Sequence, residues 1–280
     1  MIAPTTPFER LTPADLPACS ALALDREWPR EERKWRFLMA VGEVHALRDP
    51  DGGLAGTVVL TRYRAELIAV SMVLVAARFT RQGLGKRLMR HAIDQADGAT
   101  LALTATAQGL GLYQQLGFTS HGRIQSHRGR FQAEPGAAGH SRPATPADLT
   151  AILELDLAVF GADRSPVLRR LHAFAEHLRV IEVDGGLAGF AAAWRNDDHL
   201  VLGPVVAQRP ELAQALLTDL ALEAGEAGVR IDVDDVHTGL TEWVVARGLT
   251  PGFAPTIMTH GGRLPADRSR LYSPLMQALG

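Results

Sequence analysis

Apolar side chains at Leu84, Leu88, Ala92 and Ala96 recur every fourth residue, which predicts an amphipathic helix from about Leu84 to Ala96. Before it lies a β run, Leu67 to Ala76, then a loop, Ala77 to Gly83. Further upstream, Asp51-Gly52-Gly53 separates two candidate strands, Val44 to Arg48 and Ala55 to Thr61, and its glycines suit a hairpin turn because they accept positive φ. After the helix come a strand, Thr100 to Thr106, and a short helix around Leu110 to Leu116, with Gly117 fitting the residue just past a helix end. Thr12-Pro13-Ala14-Asp15 reads as a helix start, with Thr as cap, Pro in the first turn and an acid near the positive helix end. This order predicts an α/β (α+β) fold, a mixed sheet with helices on both faces.

The chain repeats itself. Thr12-Pro13-Ala14-Asp15-Leu16 returns as Thr145-Pro146-Ala147-Asp148-Leu149, and Asp51-Gly52-Gly53-Leu54-Ala55-Gly56 returns as Asp184-Gly185-Gly186-Leu187-Ala188-Gly189, both 133 residues on. A period of that size means duplicated domains and not a short solenoid repeat. The segment Gln132 to Arg142, rich in Gly, Ala and Pro, is the expected joint, giving domains of residues 1–135 and 140–280.

Composition narrows the function classes. With 280 residues the chain has room for two cores, and a net charge of −2 gives no general pull toward nucleic acid or anionic membrane. The single cysteine, Cys19, excludes an internal disulfide framework and reads as a core filler. The N-terminus has no basic stretch followed by an apolar run, and no apolar stretch nears the ~20 residues that span a bilayer, so the cytoplasm is the expected compartment.

The segment that carries chemistry runs from Val73-Leu74-Val75 through Arg81-Gln82-Gly83-Leu84-Gly85-Lys86. A β run feeds a Gly-x-Gly turn that opens a helix. Glycines let backbone approach a ligand closely, and the unpaired N–H groups of a first helical turn, at the positive dipole end, favour a phosphate. Arg81, Lys86 and Arg87 add positive charge. A tight strand–helix turn with a solvated basic face is the plainer reading of the same residues. A Walker loop fails, with Thr80 in place of its first Gly and Arg87 in place of Ser or Thr; a dinucleotide fingerprint from Gly83 fails at Leu88.

The turn resembles the acetyl-CoA loop of the GNAT superfamily, Gln/Arg-x-x-Gly-x-Gly/Ala, with Gly83 and Gly85 matching and Thr80 departing at the first position. Leu112-Tyr113-Gln114-Gln115-Leu116-Gly117-Phe118 resembles the family's LYxxLGF segment. The resemblance covers about Glu9 to Phe131 and, more loosely, the second half, including Val159 to Arg164. It implies transfer of an acetyl group from acetyl-CoA to an amine, on a small molecule or a peptide; separately, the histidines, His121 and His127 among them, show no metal-ligand spacing, so no metal is expected. The resemblance further implies that Tyr113 protonates the departing thiolate, that the backbone of Val73, Leu74 and Val75 pairs with pantetheine, and that residues 81–86 bind the pyrophosphate. A Tyr that merely packs beneath the cofactor also fits. So do a non-catalytic acyl-CoA sensor and a transferase of longer acyl chains.

An alkylamine with pKa near ~10.4 must lose a proton before it attacks. Glu66 is the first candidate for that base, with Glu27 and Glu31 beside Trp28 behind it; a water chain is the alternative. In the second copy the loop reads Val205-Val206-Ala207-Gln208-Arg209-Pro210-Glu211, without the glycine pair, and Val244 stands where Tyr113 does. That copy is expected to be structural or acceptor-binding. Its Asp232, Asp234, Asp235 and His237 form one polar cluster, read as exposed acids at a strand end, with an acceptor contact or a metal as alternatives.

Overall fold

The computed structural model describes residues 2–3, 5–134, 136, 140–225 and 227–280. They form two compact units that do not simply follow the chain: residues 1–120 with 258–264 and Leu279, and residues 121–257 with 265–278 and Gly280.

The first unit runs β1 (Glu9–Arg10), α1 (Leu16–Asp25), α2 (Glu32–Val41), β2 (Glu43–Arg48), β3 (Leu54–Tyr63), β4 (Leu67–Val75), α3 (Leu84–Asp94), β5 (Thr100–Ala105) and α4 (Ala107–Gln115). Its strands lie in the order β1-β2-β3-β4-β5, antiparallel except for the β4–β5 pair. Helices cover both faces. A β-carbon on Gly56 would stand 3.0 Å from Leu88 Cδ1 of α3, whereas Thr61 Oγ1 stands 2.5 Å from the β-carbon position of Gly42, at the end of α2. Residues an odd number apart on a strand face opposite ways, so α2 and α3 sandwich β3. Cys19 is buried in α1, and burial pushes its thiol up to about 12, so it stays an unreactive core group.

The next strand, β6 (Thr119–Gly129), has most of its residues in the second unit, where it pairs with β11 from Ile124↔Asp234 to Gly129↔Val229. That unit continues with β7 (Arg142–Pro143), α5 (Leu149–Phe160), α6 (Ser165–Phe174), β8 (His177–Val183), β9 (Gly186–Asn196), β10 (His199–Ala207), α7 (Pro210–Glu223), β11 (Gly228–Asp234), α8 (Thr238–Ala246), β12 (Thr250–Pro251), the first two residues of β13 (Thr256–His260), whose other three belong to the first unit, and β14 (Leu271–Ser273). The sheet order is β6-β11-β10-β9-β8-β7. Leu212, Leu216, Leu217 and Leu220 of α7 pack onto Leu200, Leu202, Val229 and Ile231, and each such side chain contributes about 1.5–3 kcal/mol by leaving water. On α6's approach, Arg164 is fully buried; it holds Asp156 through two bonds of 2.9 and 2.8 Å, donates to Gly280 O at 2.7 Å and lies over the Phe160 ring.

The repeated peptides recur as structure. Thr12 and Thr145 each donate backbone N–H and hydroxyl to the Asp three residues on, opening matching 3-10 turns. Gly56 and Gly189 each sit where a β-carbon would come within 3 Å of a carbonyl on the next strand, Leu74 O at 2.8 Å and Val206 O at 2.9 Å. The last glycine of the hexapeptide is thus a close-approach position in both copies.

Candidate functional site

β4 and β5 pair in parallel only at Leu67↔Thr100, Ile68↔Leu101 and Ala69↔Ala102. Both strands run on, so β4 beyond Ala69 has β3 on one side and, among the described residues, no strand on the other. The cause is local. Thr57 faces Leu74 and Val59 faces Ser71, so β4 carries an extra residue there. Met72 takes φ 47°, and its carbonyl accepts the buried Thr57 hydroxyl at 2.9 Å. A bulge bends its strand and raises its twist, turning the end of β4 away from β5. Val73 and Val75 are half-buried at this free edge, and Leu74 is buried.

The loop after β4 is pinned in its first half and open in its second. Asp25 accepts from Ala77 N at 2.6 Å, Arg78 pairs with Asp49 and lies over the Phe79 ring, and Gln82 donates to Arg78 O at 3.1 Å. The guanidinium of Arg78 holds the Asp49 carboxyl below the ordinary range. Arg81 and Gly83 then take φ of 60° and 80° around an ordinary Gln82. Alternating left-handed with ordinary backbone gathers successive N–H groups into an anion-binding concavity. α3 begins at once, with no side-chain cap and no acid in its first turn. Arg81, Gln82, Gly83 and Lys86 are exposed, Gly85 is half-buried and Leu84 is buried. Arg87 does not join them. Its guanidinium is spent on the carbonyls of Ala3 and Thr6 and lies over Phe8.

α4 closes on this turn: Leu112 Cδ2 lies 3.2 Å from the β-carbon position of Gly85. The next residue, Tyr113, is 8% exposed, and burial pushes its phenol up to about 12. Free edge, glycine turn and tyrosine therefore belong to one unit and one set of packed elements. Glu66 does not. It is exposed in the β3–β4 turn at the opposite end of β4, some seven residues or roughly 20–25 Å from Val73. Glu31 is buried at the start of α2 and paired with Lys34 at 2.8 Å, and Glu27 is exposed.

In the second unit the same splay is filled. β10 and β11 pair in parallel up to Leu202↔Ile231, and beyond that point β14 pairs with β10 at Val205 and Val206. Ser273 Oγ donates to Leu202 O at 3.1 Å, Ala207 N donates to Arg270 O at 3.1 Å, and His237 stacks on Tyr272 while its Nε2 donates to Leu271 O at 3.1 Å. A piece of the chain's own backbone lies along the edge that β4 leaves free. The helix that follows opens on Pro210 and carries Glu211 in its first turn. The polar cluster also differs from its expectation. Asp232 and Asp234 are buried, Asp232 held by Arg230 at 2.8 and 2.7 Å and Asp234 by Arg268 at 2.8 and 2.5 Å, which also reaches Asp235. Among the described residues no group of three or more His, Cys, Asp or Glu is arranged to hold a metal ion. No helix of the described residues is long and apolar enough to cross a membrane.

Comparison with known proteins bears on both halves. Residues 40–120 match one family described as acetyltransferase (GNAT) domain, and residues 152–273 match another of the same description. The uncharacterized N-acetyltransferase YitH of Bacillus subtilis (strain 168) is 30% identical over 265 residues, covering 90% of this chain and 91% of that protein. A crystal structure from Pyrococcus horikoshii superposes with a TM-score of 0.84 at 20% identity over 100% of this chain and 98% of that one. The tandem GNAT protein from the clavulanic acid biosynthesis pathway gives 0.67 at 16% identity over 92% and 99%. At these identities the two structures speak for the fold alone.

Proposed function

The chain belongs to the GNAT family of N-acetyltransferases, with two GNAT domains in tandem, and we propose that its first unit alone binds acetyl-CoA and transfers the acetyl group to an amine. The family fixes the coarser chemistry, an acyl-CoA donor and an amine acceptor. The observation that carries the finer reading is the free edge of β4 beside the glycine turn, set against the same edge of β10 filled by β14. Where one copy accepts an extended segment of backbone, the other offers the same row of backbone groups to the amides of pantetheine.

The first unit's residues fit that donor. Backbone of Val73, Leu74 and Val75 supplies the pairing edge. The N–H groups from Arg81 to Lys86, with the Arg81 and Lys86 side chains, face the pyrophosphate at the positive end of α3. When bound, acetyl-CoA supplies a thioester carbonyl as the electrophile. Tyr113 holds its proton throughout the neutral range, since burial raises its phenol to about 12, and Oη delivers that proton to the departing sulfur. Glu66 is not carried forward as the base, because the length of β4 separates it from the turn. The amine proton passes to solvent. The second unit, with Glu211 at its helix start and Val244 in the tyrosine's place, keeps a structural role.

Calorimetric titration of acetyl-CoA into the full chain tests this reading, with one site per chain expected. Two sites, or none, would overturn it. An acceptor screen that follows CoA release then names the amine.

A further inference from the structure

No hydrogen bond to Tyr113 Oη is found among the described residues, so packing alone aims the phenol. Its ring rests against Gly109 and against Phe118, the latter with ring centroids 5.8 Å apart and planes tilted by 54°. Phe118 is buried, and its amide is bonded to Tyr113 O at 3.0 Å. Behind Phe118 stands His260, centroids 5.2 Å apart. His260 reaches that place across Gly117, whose β-carbon position lies 3.5 Å from the imidazole Cδ2.

By sequence His260 belongs to the second copy; in space residues 258–264 belong to the first unit. Its backbone has little freedom. Thr259 is buried, its carbonyl accepts the Thr119 hydroxyl at 3.4 Å and its own hydroxyl donates to Gly262 O at 2.7 Å. Gly261 takes φ 80°, and a β-carbon on Gly262 would fall 2.1 Å from Thr100 Oγ1, so the turn is pressed onto the start of β5.

We propose that His260 is a positioning residue for Tyr113, acting through Phe118, so that the second copy of the sequence supplies part of the first unit's active site. The proposal rests on the reading of Tyr113 as proton donor. A proton is transferred only within hydrogen-bond reach, and a displacement of about 1 Å costs on the order of 100-fold in rate. Without the imidazole, Phe118 relaxes into the vacated space and the phenol loses its aim. The role is that of a ring, not of a charge, so another aromatic ring serves.

The test compares His260→Ala, His260→Gln and His260→Phe with the parent and with Tyr113→Phe, all as full chains. With tyrosine rings 13C-labelled, the chain's three tyrosines give separate ring signals, and Tyr113→Phe assigns one of them. Expected are a shifted and broadened Tyr113 signal in the Ala and Gln proteins and its return in the Phe protein. The signals of Tyr63 and Tyr272 should not move. CoA release from acetyl-CoA with water as acceptor should fall about tenfold in the Ala and Gln proteins and recover to within about twofold in the Phe protein. Acetyl-CoA affinity should be the same in all. Unchanged Tyr113 signals in both Ala and Gln proteins, or no recovery in the Phe protein, would overturn the proposal. Full CoA release in Tyr113→Phe would instead defeat the proton-donor reading, while the ring signals still report whether His260 aims the phenol.

Discussion

Tyr113 folds back over its own helix, so that its Cε2 lies 2.7 Å from the point a β-carbon on Gly109 would occupy. Glycine inside a helix costs about 1 kcal/mol relative to alanine, so Gly109→Ala should stabilise α4 in isolation. In the protein it pushes the phenol aside. Overpacking a filled site costs about 1–3 kcal/mol, so expected is a protein of similar or lower melting temperature whose turnover falls at least about tenfold, with acetyl-CoA affinity intact. Tyr113→Phe keeps the ring and removes only Oη, and should lower turnover by roughly 10²–10⁴ with equally little change in affinity. Calorimetry paired with a CoA-release assay reads both variants. A parallel loss of affinity would assign the tyrosine to binding.

Gly83 tests the turn. Its φ of 80° costs a side chain about 1–2 kcal/mol, but nothing stands within 4 Å of its β-carbon position. Gly83→Val should therefore fold, with a modest drop in melting temperature, and give no saturable heat with acetyl-CoA. Affinity equal to the parent's would place the pyrophosphate elsewhere.

The filled groove makes its own prediction. Leu271 of β14 is buried at the edge of β10, and Leu271→Asp should destabilise the protein by several kcal/mol by burying an unpaired charge. It should not create a second acetyl-CoA site, because the following helix lacks glycines and carries Glu211. Ser273→Ala loses one hydroxyl bond to Leu202 O and should cost about 1 kcal/mol. A stoichiometry rising toward two in either variant would show β14 to be a gate.

His91 Nε2 and His45 Nδ1 lie 3.0 Å apart, and His91 is stacked on Phe8. Burial lowers the affinity of both rings for protons, opposed at His45 by Glu43 and at His91 by Asp94, and aided by Arg10 and Arg62 at His45 and by Arg87 at His91. The unfolded chain takes up protons near the ordinary value of 6.5, and the native pair does so only at lower pH. Stability contributed here is therefore full above 6.5 and lost as pH falls through the native values. Melting temperature should decline below pH 6.5, less steeply in His91→Phe, which keeps the stack on Phe8. Identical slopes would remove the pair from the account.

What the sequence discloses is what short-range physics decides. The hexapeptide hairpin, the glycine turn and α3 are legible because turn glycines and a fourfold apolar spacing act within a few residues. α4 starts at Ala107, ahead of the expected Leu110, because Gly109 weakens the local helical signal while Tyr113 needs the space it leaves. α2 gives little warning, since it opens on a left-handed Glu31 without a side-chain cap. The partners of the acidic cluster are hidden for another reason: Arg268 lies 34 residues from Asp234 in the chain. The same holds for β14 on β10 and for residues 121–129, whose alternation is the same whichever sheet receives them. The compact units change over after Ser120, and several residues of the Gly- and Ala-rich joint lie outside the described ones.

Because residues 258–264 complete the first unit's sheet beside β5, that sheet cannot close during synthesis when its own copy has been made. At roughly 5–20 residues per second, the ~140 residues between Ser120 and Leu264 take about 7–30 s to emerge from the ribosome. Throughout that interval the outer edge of β5 is unpaired, and an unpaired strand edge invites other chains. The arrangement makes translation rate and nascent-chain crowding determinants of yield for this enzyme, and it keeps the first unit from finishing its fold until residues 258–264 have been delivered.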